Sequence, residues 1–369
     1  MQDVRLLAPI LALLPVTSPA AKPTPEPPEP LVRRIAFGSC LGQDGVQPIW
    51  DRVLATKPDA FVFLGDNVYA DTTDLVELRA AYAKLAAQPG FQKLKKATRV
   101  LATWDDHDYG LNDAGGELPS KEESKQVFLD FWGIPKDSPR RERDGVYHSE
   151  VYGPPGKRVQ FILLDTRYNR SPLVFKDNKA DLIDGGRYLR NSDPSATILG
   201  PKQWAWFEEQ LRVPAQIRII ASSIQVVDED YGGETWANFP LERKKLFGLM
   251  WRSTGSLFIS GDRHFAELSM MDGEAGYPIY DLTASSLNWS EHVFRMIERN
   301  RHRIAVVNRG DNFGVIEIDW ERRDPLLRLK IVDEDGDILF QHKVELSVLR
   351  ESNLPWWNIV PPPADPEQP

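Results

Sequence analysis

The chain has 369 residues, enough for one large or two ordinary domains. With 41% hydrophobic residues and eleven Trp it can bury a sizeable core, which excludes a disordered chain. Its net charge of −9 argues against a general nucleic-acid footprint, which needs clustered Lys and Arg, but not against an anionic substrate held through bound cations. There is one cysteine, Cys40, so no internal disulfide forms, and a buried inert thiol is its simplest reading.

Leu6–Val16 is an apolar run preceded by Arg5 and followed by small residues at Thr17–Ala21. It reads as a secretory signal peptide over residues 1–21, with a disordered tail as the alternative, and is too short to span a membrane as a helix. Lys22–Pro30 is a Pro/Glu linker. One folded domain is expected over residues 31–350, and a Trp/Pro-rich tail over 351–369. No transmembrane segment is expected in the mature chain.

Val32–Phe37 reads as a first core strand ending in Gly38-Ser39-Cys40, and Ile49–Lys57 as a helix with Trp50, Val53 and Leu54 at helical spacing. Ala60–Leu64 is a short apolar run of the kind buried on both faces in a parallel sheet. It stops at Gly65, and Asp66 and Tyr69 follow at once, just beyond the carboxyl end of a strand, where α/β sheets hold ligands. Taken alone, such a strand–Gly–Asp unit is more often structural, a capping Asp with a packed Tyr.

Leu75–Leu94 reads as helical, punctuated by Pro89-Gly90. Arg99–Trp104 is a third strand and runs into Asp105-Asp106-His107-Asp108. Four titratable side chains in a row are costly to hold together unless a cation relieves them, and a strand delivers them to the same end as Asp66; a solvated acidic turn is the alternative. Gly110–Pro119 is a loop. Ser120–Trp132 is a helix with a capping box formed by Ser120 and Glu123. Tyr147–Tyr152 and Val159–Leu164 pair antiparallel, and the second ends at Asp165-Thr166-Arg167, where Arg167 is either an ion-pair partner or a phosphate contact.

Ser171–Ala196 reads as a long loop, Leu199–Leu211 as an amphipathic helix with Pro201 in its first turn, and Arg218–Ala221 as a strand followed by Ser222, Ser223 and Gln225. A loop over Asp228–Phe239 precedes a helix over Leu241–Trp251. The strand Ser256–Ile259 then delivers Gly261-Asp262-Arg263-His264, a second Gly-Asp strand end with a His two residues on. Tyr280–Thr283 is a further strand. Phe313–Ile318, Leu326–Val332 and Ile338–Val344 alternate as antiparallel strands, and Asp333–Asp337 is a hairpin turn without EF-hand spacing.

Cys40, Asp66, Tyr69, Asp106, Asp262 and His264 thus form a mixed donor set at strand ends. Thiolate, phenolate and imidazole with a carboxylate suit a strongly Lewis-acidic ion such as Fe3+. Asp106, Asp262 and a shared Asp66 are all oxygen, which favours a hard ion such as Ca2+ or Mg2+. Two ions bridged by one carboxylate are suited to in-line phosphoryl displacement. There is no GxSxG, HExxH, GxxxxGK[ST] or GxGxxG.

In these residues the chain resembles the PhoD-like alkaline phosphatases of the metallophosphoesterase superfamily. The resemblance rests on FGSC at Phe37–Cys40, LGDNVYAD at Leu64–Asp71, TWDDHD at Thr103–Asp108, LLDTR at Leu163–Arg167 and SGDRH at Ser260–His264, in the family's order. It implies a two-sheet α/β/β/α sandwich, here with a C-terminal antiparallel β segment. The superfamily pattern is GDxx…GNH[DE]…GHxH. Asp66 falls on the bridging Asp and Tyr69 on the Tyr of the purple-acid branch. Asp106 replaces the Asn and Asp262 the first His, while His107 and His264 fall on the remaining two His.

The resemblance implies Fe3+ and Ca2+, another divalent ion being the alternative at the second position, and a phosphate ester as substrate. It gives His107 the role of stabilising phosphoryl oxygens or protonating the leaving oxygen. Arg167 as a substrate contact is inferred from its place at a strand end. The superfamily's His between the last two motifs is missing, since Asp165 to Ile259 holds none and His148 lies within a strand; Ser222, Ser223, Gln225 or water stands in its place. The expected function is hydrolysis of phosphate mono- or diesters, by direct attack of a metal-bound hydroxide, in a secreted or periplasmic enzyme. The alternatives are an enzyme for phospholipid or polymer diesters and a non-enzymatic, metal-containing surface binding module.

Overall fold

A computed structural model describes residues 30–176, 187–272, 275–290, 299–308 and 310–350. The signal peptide, nearly all of the linker and the C-terminal tail expected from the sequence lie outside the described residues. The first half runs β1 (Arg34–Gly38), α1 (Ile49–Ala55), β2 (Ala60–Leu64), α2 (Leu75–Ala87), α3 (Pro89–Ala97), β3 (Arg99–Thr103), α4 (Asp106–Tyr109), α5 (Lys121–Phe131), β4 (His148–Tyr152) and β5 (Val159–Leu163). There follow β6 (Val174–Phe175), β7 (Tyr188–Leu189), α6 (Gly200–Leu211), β8 (Ile217–Ala221), α7 (Pro240–Met250), β9 (Ser256–Ser260), β10 (Ala266–Met271) and β11 (Ile279–Ala284). The chain closes with β12 (Arg303–Val307), β13 (Asn312–Asp319), β14 (Leu326–Asp333) and β15 (Ile338–Glu345).

The strands form two large mixed sheets, ordered β15-β14-β13-β1-β2-β3 and β12-β10-β11-β9-β8-β5-β4. In the first, β1, β2 and β3 are parallel; in the second, β5, β8, β9 and β11 are. The C-terminal β segment continues the first sheet, since β13 pairs antiparallel with β1 in a register that sets Phe37 opposite Gly314.

Alternate residues of the central strands face two different cores, the period-2 consequence of the pleat. Ala60, Val62 and Leu64 join Phe161, Ile219, Ile259 and Leu282 in the core between the sheets. Phe61 and Phe63 face the other way and pack with Trp50, Phe91 and Phe128 beneath the helices of the first sheet. Trp204, Phe207, Leu246 and Phe247 of α6 and α7 cover the second sheet. The resulting order is helices, sheet, sheet, helices, as the resemblance implies.

Local differences from the sequence reading have physical causes. The Leu75–Leu94 pattern divides at Gln88, whose extended backbone ends α2 and lets Pro89 start α3. Ser120 makes no side-chain cap on α5, so the expected capping box does not form. The loop Ser171–Ala196 contains the small β6–β7 ribbon. β10 and β12 were not expected. Asp333–Asp337 is the hairpin turn the sequence indicates, with the Asp333 carboxylate accepting from the Asp335 and Asp337 N–H groups.

Candidate active site

Every parallel strand of both sheets ends at the same edge, and the loops leaving it carry the donors. From the first sheet come Cys40 after β1, Asp66 after β2 and Asp105 with Asp106 after β3; from the second come Asp262 and His264 after β9. Thr103 Oγ1 donates to the Leu164 carbonyl at 2.8 Å, and the Ser39 N–H to the Ala284 carbonyl at 3.2 Å, so the two sheets are tied together at this edge.

The turns that aim these side chains are strained. Cys40, Asp66, Asp262 and His264 all adopt positive φ, at 58°, 47°, 69° and 56°. Each costs on the order of 1 kcal/mol or more for a residue with a Cβ, and such strain collects where geometry is fixed for function. Gly65, at φ 101°, lets the chain pass Asp105: a Cβ there would lie 2.4 Å from the Asp105 Cβ.

The donors converge into three overlapping groups, in each of which one ligand atom per residue lies within 4.8 Å of the others. They are Cys40, Asp66 and His264; Asp66, Asp106 and His107; and Asp66, Asp105, Asp106 and Asp262. Asp66 belongs to all three. Tyr69 is beside them, its ring 4.4 Å from that of His107 and 6.2 Å from that of His264. All six residues read from the sequence as ligands are therefore brought together, with His107.

Sequence reasoning missed several partners. Asp105 was seen only as part of an acidic run. Ser285, after β11, accepts from the His264 N–H at 3.0 Å and lies 3.1 Å from Cys40 Sγ. Trp289 stacks on Tyr69 at 4.4 Å and 16°, and its carbonyl faces His264 Nδ1 at 2.8 Å. Asp71 Oδ1 lies 2.6 Å from His107 Nδ1. No sequence signal marks Ser285 or Trp289, but Asp71 closes the LGDNVYAD motif.

Arg167 makes the ion pairs that were one of its two expected roles. It is wholly buried, with Nε 2.5 Å from Asp105, Nη1 2.6 Å from Glu234 and Nη2 3.7 Å from Asp106. Nε donates to Asp105, while Nη1 and Nη2 lie within ion-pair distance of Glu234 and Asp106 without a hydrogen-bond partner, so its charge is set against the carboxylates of the site. Glu234 also pairs with Arg170 at 3.0 Å. Of the residues considered for the missing His, Ser223 donates to Asp105 at 2.5 Å, while the Ser222 hydroxyl is turned to the Ile224 carbonyl. His148 is buried on β4, receiving a hydrogen bond from Arg140.

The electrostatics call for a cation. Burial and the charge of Asp106 push the Asp66 carboxyl well up, and burial with the charges of Asp105 and Asp106 does the same to Asp262. Burial, followed by the charge of Asp66, raises the Cys40 thiol; burial and Cys40 raise the Tyr69 phenol. Only Asp106, against its burial, is held down to about 2, by Arg167 and His107. Burial opposes protonation of His107, but the Asp71 hydrogen bond and the Asp106 charge raise it to about 10. Asp66 Oδ1, the Tyr69 hydroxyl, Asp105 Oδ2 and Asp106 Oδ1 are buried without a hydrogen-bond partner. Buried orphan oxygens of this kind on adjacent acidic groups fit metal ions, which would satisfy them and allow all the groups to ionise together.

Two packed α/β sheets that bring these carboxylates together at one edge are the frame of a metal-dependent phosphoesterase. The model of the PhoD-like phosphatases matches residues 35–292, more than half of the chain. The chain belongs to the PhoD-like phosphatase family and is a hydrolase of phosphate esters. The fold is similar to the solved structure of PhoD, at 16% identity and a TM-score of 0.65, over 86% of this chain and 72% of that one. A 5'-nucleotidase precursor from Thermus thermophilus is more distant, at 14% identity and a TM-score of 0.39, over 85% of this chain and 54% of that one. None of the curated proteins matches the chain in sequence. Among the described residues no helix is long and apolar enough to cross a membrane.

Proposed function

We propose that Cys40, Tyr69, His264 and Asp66 hold one ion, and that Asp66, Asp106 and Asp262, joined by Asp105, hold a second. Thiol, phenol and imidazole together suit Fe3+, and the all-oxygen set suits Ca2+ or another hard divalent ion. The observation that carries this reading is the membership of Asp66 in all three donor groups, which makes it the natural bridge. Such ions supply charge neutralisation of a phosphate ester and a nucleophile at neutral pH.

The protein residues do the rest. Asp71 orients His107 through Nδ1, which leaves Nε2 to donate to a phosphoryl oxygen or to the leaving oxygen. Arg167, through Asp105 and Asp106, keeps two carboxylates in register behind the site. We place the enzyme outside the cytoplasm, secreted or periplasmic, on the strength of the Leu6–Val16 run, with residues 31–350 as one catalytic domain. Metal analysis of the purified chain for iron and calcium tests the ion assignment. Rates on 4-nitrophenyl phosphate and bis(4-nitrophenyl) phosphate, taken on the same sample, test the activity. A chain that takes up neither iron nor calcium, or a metal-loaded chain that hydrolyses neither ester, would overturn the reading.

A further inference from the structure

Asp113 connects the site to a second feature. Its N–H donates to Asp106 Oδ2 at 2.7 Å, and its carboxylate turns away to accept from the Tyr188 hydroxyl and to face Arg187 at 3.8 Å. On that far side lies a cavity of about 380 Å³, whose walls include Leu111, Pro172, Leu173, Phe175 and Tyr188. Its size falls within the range of small-molecule sites. The lining is unusual for a surface loop region: Phe175 is 63% exposed and Leu111 44%. The Phe175 ring meets that of Tyr188 edge-on at 5.1 Å and 65°, and the Arg187 guanidinium lies 5.9 Å from the Tyr188 ring. The hairpin of β6 and β7 thus presents an aromatic pair, with a cation at its rim, one residue away from a carboxylate of the candidate metal site.

We propose that this cavity is the leaving-group subsite of the phosphoesterase and that it selects esters of aromatic alcohols. The proposal rests on the reading of the metal site given above. Asp113 joins the two places, its N–H on Asp106 and its carboxylate on Tyr188 of the cavity wall, so the cavity adjoins the loop that carries a carboxylate of the site. A planar ring entering it gains apolar area against Leu111 and Pro172. It also gains an aromatic contact with Phe175 and a cation–π contact with Arg187, which a saturated group does not receive. The Asp113 carboxylate does not repel the entering group, because Tyr188 and Arg187 already engage it.

The test uses the metal-loaded chain and three substrate-like anions, methylphosphonate, cyclohexylphosphonate and phenylphosphonate, with affinities measured by competition against hydrolysis and by calorimetry. Phenylphosphonate is expected to bind about tenfold more tightly than methylphosphonate, the effect of one partly buried ring. Phe175→Ala and Leu111→Ala, at exposed positions that do not disturb the core, should each narrow that ratio to about threefold or less. Equal binding of phenyl- and methylphosphonate overturns the subsite, as does a ratio that survives both substitutions. Equal binding of the phenyl and cyclohexyl compounds overturns its aromatic preference. If methylphosphonate itself fails to bind and no aryl phosphate is hydrolysed, the metal-site reading has failed and the subsite falls with it; if both succeed without discrimination, only the subsite has failed.

Discussion

Nδ1 of His107 lies 2.6 Å from Oδ1 of Asp71, at the mouth of a cluster of buried carboxyls. The pair orients a proton donor beside the ligands without itself closing the metal site. His107→Ala should therefore lower kcat on 4-nitrophenyl phosphate by about 10²- to 10³-fold, the usual worth of a positioned acid, while bound metal stays near the parent level. Asp71→Asn should give a smaller loss, roughly tenfold, again at full metal content. Steady-state rates and metal analysis on one preparation check both.

Asp66 is shared by three donor groups, whereas Cys40 and Asp262 each belong to one. Asp66→Asn is expected to deplete both ions and weaken metal binding by at least about tenfold. Cys40→Ser should affect one ion selectively, leaving the all-oxygen set loaded. Elemental analysis after equilibration with defined iron and calcium distinguishes these outcomes.

Arg167 is the counter-charge behind the site, wholly buried against Asp105 and Glu234. Replacing it by Gln leaves buried carboxylates uncompensated, at a cost of about 3–5 kcal/mol. In the double variant Arg167→Gln, Asp105→Asn, part of that loss should be recovered, because the charge that Arg167→Gln orphans is removed with its partner. Denaturant unfolding of the two variants and the parent measures the coupling.

His148 is buried on β4 with Arg140 hydrogen-bonded to it, and burial, helped by the Arg140 charge, holds its pKa well below 6.5. In the fold it stays neutral, whereas the unfolded chain takes up its proton near pH 6.5. The stability it contributes is thus present above pH 6.5 and lost as pH falls toward the lowered value, at up to about 1.4 kcal/mol per pH unit. His148→Gln should show a flatter unfolding free energy between pH 6.5 and pH 5 than the parent.

Gly65 is at φ 101° with Asp105 closing on it. Gly65→Ala combines left-handed strain with a steric clash, for a destabilisation of at least about 2 kcal/mol and a displaced Asp105. Thermal unfolding and metal content should fall together in this variant.

Much of this was legible in the sequence because the informative residues are local. Ala60–Leu64 announces a two-sided buried strand, and Gly65-Asp66 and Gly261-Asp262 mark where two such strands stop. What stayed hidden depends on distant pairing. AELSMM, at Ala266–Met271, has no β-branched residue and becomes a strand only because β11 and β12 flank it. Its Glu267 is buried because Arg303, on β12, meets it at 2.6 Å. Arg167 was recognisable as a cation at a strand end, but its ion-pair partner Glu234 comes from the loop after β8, far along the chain. Ser285 and Trp289 enter the site only because β11 lies beside β9.

The donors are divided between the two sheets, Cys40, Asp66 and Asp106 on one and Asp262 with His264 on the other. An ion seated among them acts as a rivet through the open edge of the sandwich. Its binding free energy then adds to folding, by about 2.7 kcal/mol when free metal stands at a hundred times its dissociation constant. Scarcity of metal would thus do more than idle the enzyme: it would loosen the seam between its halves, shortening the life of the chain wherever proteases are abundant.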